Sequence, residues 1–205
     1  MHAKGNYMMF KVSFNSQLKS NTDLILIIMD ESLELRDYIS KLDKKFDGII
    51  SDAIKNKSLN KKGGYKSLYL KKGKDKKDIF LYNMGNEKDF SIDKADRVGG
   101  EIFPLIPSYI KSMTICFSIN KKLKIISDVL AVNILHGLKL RSYSFYKYKM
   151  KSKNKFKNSL KEIEILVNNI SSAKKHYNPL KALEEGVFLT RNLVSEPANI
   201  LTPKT

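Results

Sequence analysis

From Lys147 to Lys157 every odd position is lysine, with Tyr143, Phe145, Tyr146, Tyr148 and Phe156 interleaved or just upstream. In an extended chain such lysines share one face. Cationic side chains beside aromatic rings hold single-stranded nucleic acid through phosphate contacts and base stacking. Lys147, Lys149, Lys151, Lys153 and Tyr148 are therefore the candidate contacts for nonspecific nucleic acid. The competing assignment makes Tyr143, Phe145 and Tyr148 core aromatics and the lysines a solvated loop. A second cluster, Lys55 to Lys77, sets ten lysines against Asp75 and suits solvated loop and edge strand.

Other chemistry is hard to assemble. His2, His136 and His176 are far apart, and neither HExxH nor CxxC occurs, so no metal set has ligand spacing. There is no G-x-S-x-G elbow, P-loop or G-x-G-x-x-G. Catalytic and metal-ligating residues are accordingly assigned to none. His136 beside Gly137 suits a packing or solvent-edge histidine. Gly63-Gly64 suits a turn, and Gly99-Gly100 suits close helix packing. The single cysteine, Cys116, lies in a strand-like run and is expected to be a buried, inert thiol, in keeping with a reducing compartment.

Net charge is +17, which raises nucleic acid or an anionic surface as partner. Yet only Arg36, Arg97, Arg141 and Arg191 among the 38 basic residues are arginine. Arginine makes the bidentate contacts to phosphate and guanine. Its scarcity argues against sequence-specific DNA reading, and the abundant lysine, asparagine and isoleucine match the bias of an AT-rich genome. No apolar run approaches the ~20 residues of a membrane span. The N-terminus lacks the apolar stretch of a secretory signal, so no membrane partner and a cytoplasmic location are expected.

The elements that would position these residues alternate in type. Met8–Phe14 and Asp23–Met29 read as strands, the second continuously apolar like a buried central one. Phe46, Ile49, Ile50 and Ile54 give a helix over Lys45–Lys57. Tyr65–Leu70 and Asp78–Tyr82 are strands, and Asp93–Ile110 is a helix. Lys111–Ile119 is a strand. Ser127 is the expected cap of a helix carrying Val129, Leu130, Asn133, Ile134, Gly137 and Leu138. Leu160–Val167 is a further strand. Asn178 then caps a last helix with Pro179 at its first position, striped by Leu180, Leu183, Val187, Thr190 and Val194 after a polar spacer. This pattern predicts an α/β fold, a mixed sheet flanked by helices and followed by a linker helix. Residues 1–7 are expected to be a disordered tail or an over-extended start, 8–170 the α/β domain, and 171–205 the linker helix with the first residues of a further domain.

The segment Gly186-Val-Phe-Leu-Thr-Arg-Asn-Leu-Val-Ser-Glu-Pro-Ala-Asn-Ile-Leu-Thr-Pro203 resembles G-x-x-L-A-R-D-L-V-N-x-P-x-N-x-L-T-P, near the domain junction of the leucyl (cytosol) aminopeptidases. Three more segments resemble that family in the same order. Ile79-Phe-Leu-Tyr-Asn-Met-Gly85 is similar to its strand ending V-G-L-G-K, and Lys94-Ala-Asp-Arg-Val-Gly-Gly100 to its R-K-A-G-G helix. His136-Gly-Leu-Lys-Leu-Arg-Ser-Tyr-Ser-Phe-Tyr-Lys-Tyr-Lys149 is similar to E-G-x-x-L-x-x-Y-x-F-x-x-Y-K. Tyr82-Asn-Met-Gly in place of Val-Gly-Leu-Gly, and Ser195 in place of asparagine, depart from the pattern at positions that carry no family catalysis.

The resemblance implies the non-catalytic N-terminal domain of a metallopeptidase that removes N-terminal residues from peptides, with a fold like that of macrodomains. That likeness alone raises a nucleotide-sugar pocket as a further option. In the family two divalent metals, zinc or manganese, activate a bridging water. Their ligands, a lysine, aspartates and a glutamate, and an assisting arginine lie beyond the L-T-P motif. This chain is thus expected to hold no cofactor and to act on peptides only with a catalytic domain supplied. The family's full-length form is a hexamer. Arg191, in the linker motif, is not the family's catalytic arginine.

Overall fold

The computed structural model describes residues 10–18, 22–55, 57–73, 75–119, 124–145, 147–148 and 159–198. Six strands form one sheet in the order β1 (Lys11–Asn15), β6 (Glu162–Leu166), β5 (Ser112–Ser118), β2 (Leu24–Met29), β4 (Asp75–Asn83) and β3 (Tyr65–Lys72). All neighbours are parallel except β3 and β4, which form an antiparallel hairpin at one edge. Every residue of β2 is buried, as its unbroken apolar run requires between two parallel partners.

Alternation along the strands divides the core. Ile25, Ile27, Met29, Ile79 and Leu81 pack with α1 (Asp37–Lys45) and α2 (Ile49–Ile54) on one face. Leu24, Leu26, Ile28, Phe80 and Tyr82 point to the other. There they meet α3 (Ile92–Ile102), α4 (Lys124–Arg141) and α5 (Ile170–Val194). Glycine brings α3 and α4 together. A Cβ on Gly99 would lie 2.0 Å from the Ile134 carbonyl oxygen, and one on Gly137 only 1.8 Å from that of Asp96. The close-packing role expected of Gly99-Gly100 therefore falls on Gly99, since Gly100 meets nothing within 4 Å.

Four expected boundaries move. The helix expected over Lys45–Lys57 is broken where Asp47 (φ 57°) and Gly48 (φ 83°) adopt left-handed backbone. An additional helix, α1, precedes the break, and α2 restarts with its amides held by the Asp43 carboxylate (Ile50 N–H 2.8 Å, Ser51 N–H 3.1 Å). Helix α3 ends at Ile102 rather than Ile110, passing into a 3-10 turn at Phe103–Leu105 where Pro104 cannot continue the helical hydrogen bonds. Ser127 does not cap α4, which is already helical at Lys124. Nor does Asn178 cap α5. Asn169 does, its side chain accepting from the Ser172 amide at 3.0 Å, so the polar spacer forms the helix's first turns and Pro179 lies inside it. The β1 expectation holds from Lys11, while Met8 and Met9 lie outside the described residues, as do residues 1–7.

Candidate functional site

Helix α5 reaches the domain through an unusual face. Ala173, Tyr177, Glu184 and Phe188 are its buried residues, spaced as one helical stripe. Of the stripe expected from the sequence, Leu180 packs on the core and Val187 is half-buried, while Leu183 is 54% exposed and Val194 81%. Glu184, 1% exposed, is the centre of the buried contact. One carboxylate oxygen lies 3.2 Å from His136 Nδ1 and the other accepts from Lys139 Nζ, both on α4. The same ammonium donates to the Tyr177 hydroxyl at 2.8 Å and sits 5.3 Å above that ring.

Burial alone would lower the Lys139 ammonium, but the Glu184 carboxylate and Tyr177 hydroxyl more than reverse this and hold it above the usual lysine value. Burial raises the Tyr177 hydroxyl, with Lys139 pulling the other way. On α3, burial raises the Asp96 carboxyl; His136 opposes the rise and Asp93 adds to it. His136, Lys139 and Glu184 are 3%, 8% and 1% exposed. The cluster is a buried lock between helices, and His136 has the packing role its sequence context suggests.

The last turn of α5 is clasped from outside. Arg191 donates to the Leu140 carbonyl at 2.7 Å and lies over the Tyr143 ring, which stacks on Phe188. The Tyr143 hydroxyl meets Asn192 Oδ1 at 3.0 Å. Lys147 Nζ and the Tyr148 hydroxyl both bind the Glu196 carboxylate, the first at 2.7 Å. Of the five nucleic-acid candidates these two are placed together. Lys149, Lys151 and Lys153 lie outside the described residues. Tyr143 is half-buried against Phe188, as the aromatic-packing assignment expects, whereas Tyr148 is 44% exposed and is not a core aromatic.

Cys116 is 3% exposed within the α1–α2 side of the core, and burial pushes its thiol up to about 12. Gly63, with φ 77°, makes the turn into β3 expected of its glycine pair. Among the described residues no group of three or more His, Cys, Asp or Glu converges to hold a metal. No described helix is long and apolar enough to cross a membrane. Sequence spacing alone missed the Glu184–Lys139 pair, because its members are 45 residues apart. The available signal was a glutamate in register with Tyr177 and Phe188.

These features define an α/β domain whose helices α4 and α5 are joined by a buried ion pair. The model of the cytosol aminopeptidase family, N-terminal domain, matches residues 25–152. The chain belongs to that family. A probable cytosol aminopeptidase of Rickettsia felis is 30% identical over 202 residues, covering 96% of this chain and 40% of the relative. One from Rickettsia bellii is 31% identical over 201 residues with the same coverage. The fold is likewise that of a tomato leucine aminopeptidase mutant, at a TM-score of 0.76 and 21% identity over 98% of this chain and 41% of that one. The chain therefore spans about two fifths of the length of the relatives it matches.

Proposed function

We propose that this chain is the non-catalytic N-terminal portion of a leucyl aminopeptidase-like metallopeptidase acting on peptides in the cytoplasm. The observation that carries it is the match to the family's N-terminal domain in a chain spanning 40% of its relatives. Hydrolysis then requires the remainder of the relatives' length, which would supply a lysine, aspartates and a glutamate to two divalent metals, manganese or zinc. Those metals supply the activated water and polarise the scissile carbonyl. This chain's own part is to fix the direction in which α5 leaves the sheet.

Residues 171–205 would then be the linker helix and entry to the catalytic domain, with residues 8–170 as the α/β domain. The outward Leu183, Leu189, Leu193 and Val194 support this division, since they offer an apolar side to a neighbour. Assembly into a hexamer would be a property of the longer protein. The test is leucine p-nitroanilide hydrolysis by the purified 205-residue chain with added manganese, alongside a full-length relative. Activity only in the relative is expected. Robust turnover by the chain, with metal bound to its own side chains, would overturn the assignment.

A further inference from the structure

Strand β3 ends the sheet, and among the described residues no strand pairs with its outer edge. The bonding to β4 fixes which of its backbone groups are left over. The Asn83 amide donates to the Gly64 carbonyl at 2.9 Å, and these two residues lie one step beyond the Tyr65–Tyr82 pair of the register. In an antiparallel ladder, pairs that exchange backbone bonds alternate with pairs that do not. Residues 66, 68, 70 and 72 therefore bond to β4. Tyr65, Ser67, Tyr69 and Lys71 turn their N–H and C=O groups outward instead. All four are exposed, Tyr65 at 47% and Tyr69 at 58%.

The side chains along this edge are apolar and cationic by turns. On the α3 side Tyr65, Ser67, Tyr69 and Lys71 follow one another, with Lys76 of β4 opposite Lys71. The Tyr65 ring is braced by stacking on Phe80 (5.4 Å, 18°). On the α1–α2 side lie Lys66, the half-buried Leu68 and the buried Leu70. Asp78, opposite Tyr69, is engaged by the Tyr109 hydroxyl. Among the described residues Lys66, Lys71 and Lys76 have no carboxylate partner. Lysines on an open edge oppose pairing with a second copy, which would bring the same lysines and its own net charge of +17. A strand carrying carboxylates meets attraction instead, since opposite charges across strands stabilise the pair. Nucleic acid matches the charge but has no N–H and C=O row to complete the ladder.

We propose that β3 accepts an extended acidic segment of another protein as an added antiparallel strand. Main-chain bonds to Tyr65, Ser67, Tyr69 and Lys71 would hold the segment, and its alternate side chains would select it. The edge asks for carboxylates beside Lys66 and Lys71 and for β-branched or aromatic residues beside Tyr65, Leu68 and Tyr69. Written antiparallel to β3, from Lys71 back to Tyr65, a segment that meets these needs is Glu-Thr-Val-Val-Thr-Glu-Val. Its first, third, fifth and seventh residues exchange bonds with β3, and the others point their amides away. This surface is separate from the Lys147–Lys157 tract and independent of the peptidase assignment.

The experiment is fluorescence anisotropy of the purified chain with that peptide carrying a fluorescent label. Saturable binding is expected. N-methylation of the third and fifth peptide residues removes amides that bond to β3 and should weaken binding about tenfold or more. N-methylation of the fourth and sixth should leave it largely intact. Both modifications sit on the peptide, so this comparison needs no folded variant. Lys71→Glu with Lys76→Glu, checked for folding by circular dichroism, should weaken the peptide and favour one whose first residue is lysine. The proposal is overturned by absence of saturable binding, by equal loss from the two methylation patterns, or by equal competition from polyglutamate, which has the charge without the strand preference. It is also overturned if only substitution of Lys147, Lys149, Lys151 and Lys153 lowers affinity.

Discussion

Replacing Gly137 by alanine tests how tightly the α3–α4 crossing defines the fold. The new Cβ would stand 1.8 Å from the Asp96 carbonyl oxygen and 2.6 Å from its carbonyl carbon. Ordinary carbon contacts begin near 3.4 Å, so the helices must part by more than an ångström. The obstacle is backbone on both sides, and no side chain can swing away. Overpacking of this kind costs about 3 kcal/mol. Alanine's helix preference returns about 1 kcal/mol, leaving a net loss of about 2 kcal/mol. In a chain of this size that lowers Tm by roughly 4–8 °C. Gly99→Ala, 2.0 Å from the Ile134 oxygen, should behave alike. Gly100→Ala is the internal control. It is one residue away on the same helix with nothing within 4 Å, and should raise Tm by roughly 2–4 °C. Differential scanning calorimetry of the three variants reads the signs directly. Equal shifts at Gly99, Gly100 and Gly137 would refute the close-crossing argument.

Removing Glu184 while keeping Lys139 leaves a buried ammonium unpaired, so Glu184→Leu should cost about 3–5 kcal/mol, measured by urea unfolding. Lys139→Met with Glu184→Leu should recover part of that loss. Below pH 9.0 Cys116 is a neutral thiol in both states; above it the unfolded chain ionises while the folded one does not until about 12. Stability therefore falls as pH rises from 9 toward 12, and Cys116→Ala should flatten that slope. In the native chain, iodoacetamide should label Cys116 far more slowly than after denaturation. At the start of α5, Asn169→Ala should cost about 1 kcal/mol and Asn178→Ala nothing, by thermal unfolding. The reverse ranking would restore Asn178 as the cap.

Local chemistry made the sheet legible. The unbroken Leu24–Met29 run, the Gly63-Gly64 turn and the alternating hairpin each carry their instruction within a few residues. Where the sequence misled, a distant group won. Asn178-Pro179 is good local chemistry for a helix start. The Asp128 carboxylate of α4, however, accepts the amides of Asn168 and Asn169 at 2.9 and 3.1 Å, and the helix begins there. A proline at the tenth position is then tolerated on the exposed side. The break at Asp47-Gly48 was local and readable, for Asp-Gly is a turn signal. The isoleucines beyond it gave a more conspicuous helical period. The Glu184 lock was hidden for a different reason, because it joins residues on separate elements.

Helix α5 carries apolar residues on both its inward and its outward side. It buries Glu184 at 1% exposure and presents Leu183, Leu189, Leu193 and Val194 at 54%, 60%, 43% and 81%. Apolar packing alone would leave its rotation open, since Tyr177, Phe188 and Leu180 face the core while these residues face outward. A paired charge at its centre fixes one rotation, since turning α5 about its axis would strand both Glu184 and Lys139 without partners. The polar lock thus sets which side faces out, and that side is suited to an apolar neighbour rather than to water. Such a neighbour is what the remainder of the relatives' length would provide under the proposed function. Aspartate at both Leu183 and Leu193 should then leave the Tm of this chain unchanged, and should destabilise a longer protein carrying the same helix. A loss of stability in the 205-residue chain would show that the outward side is already packed.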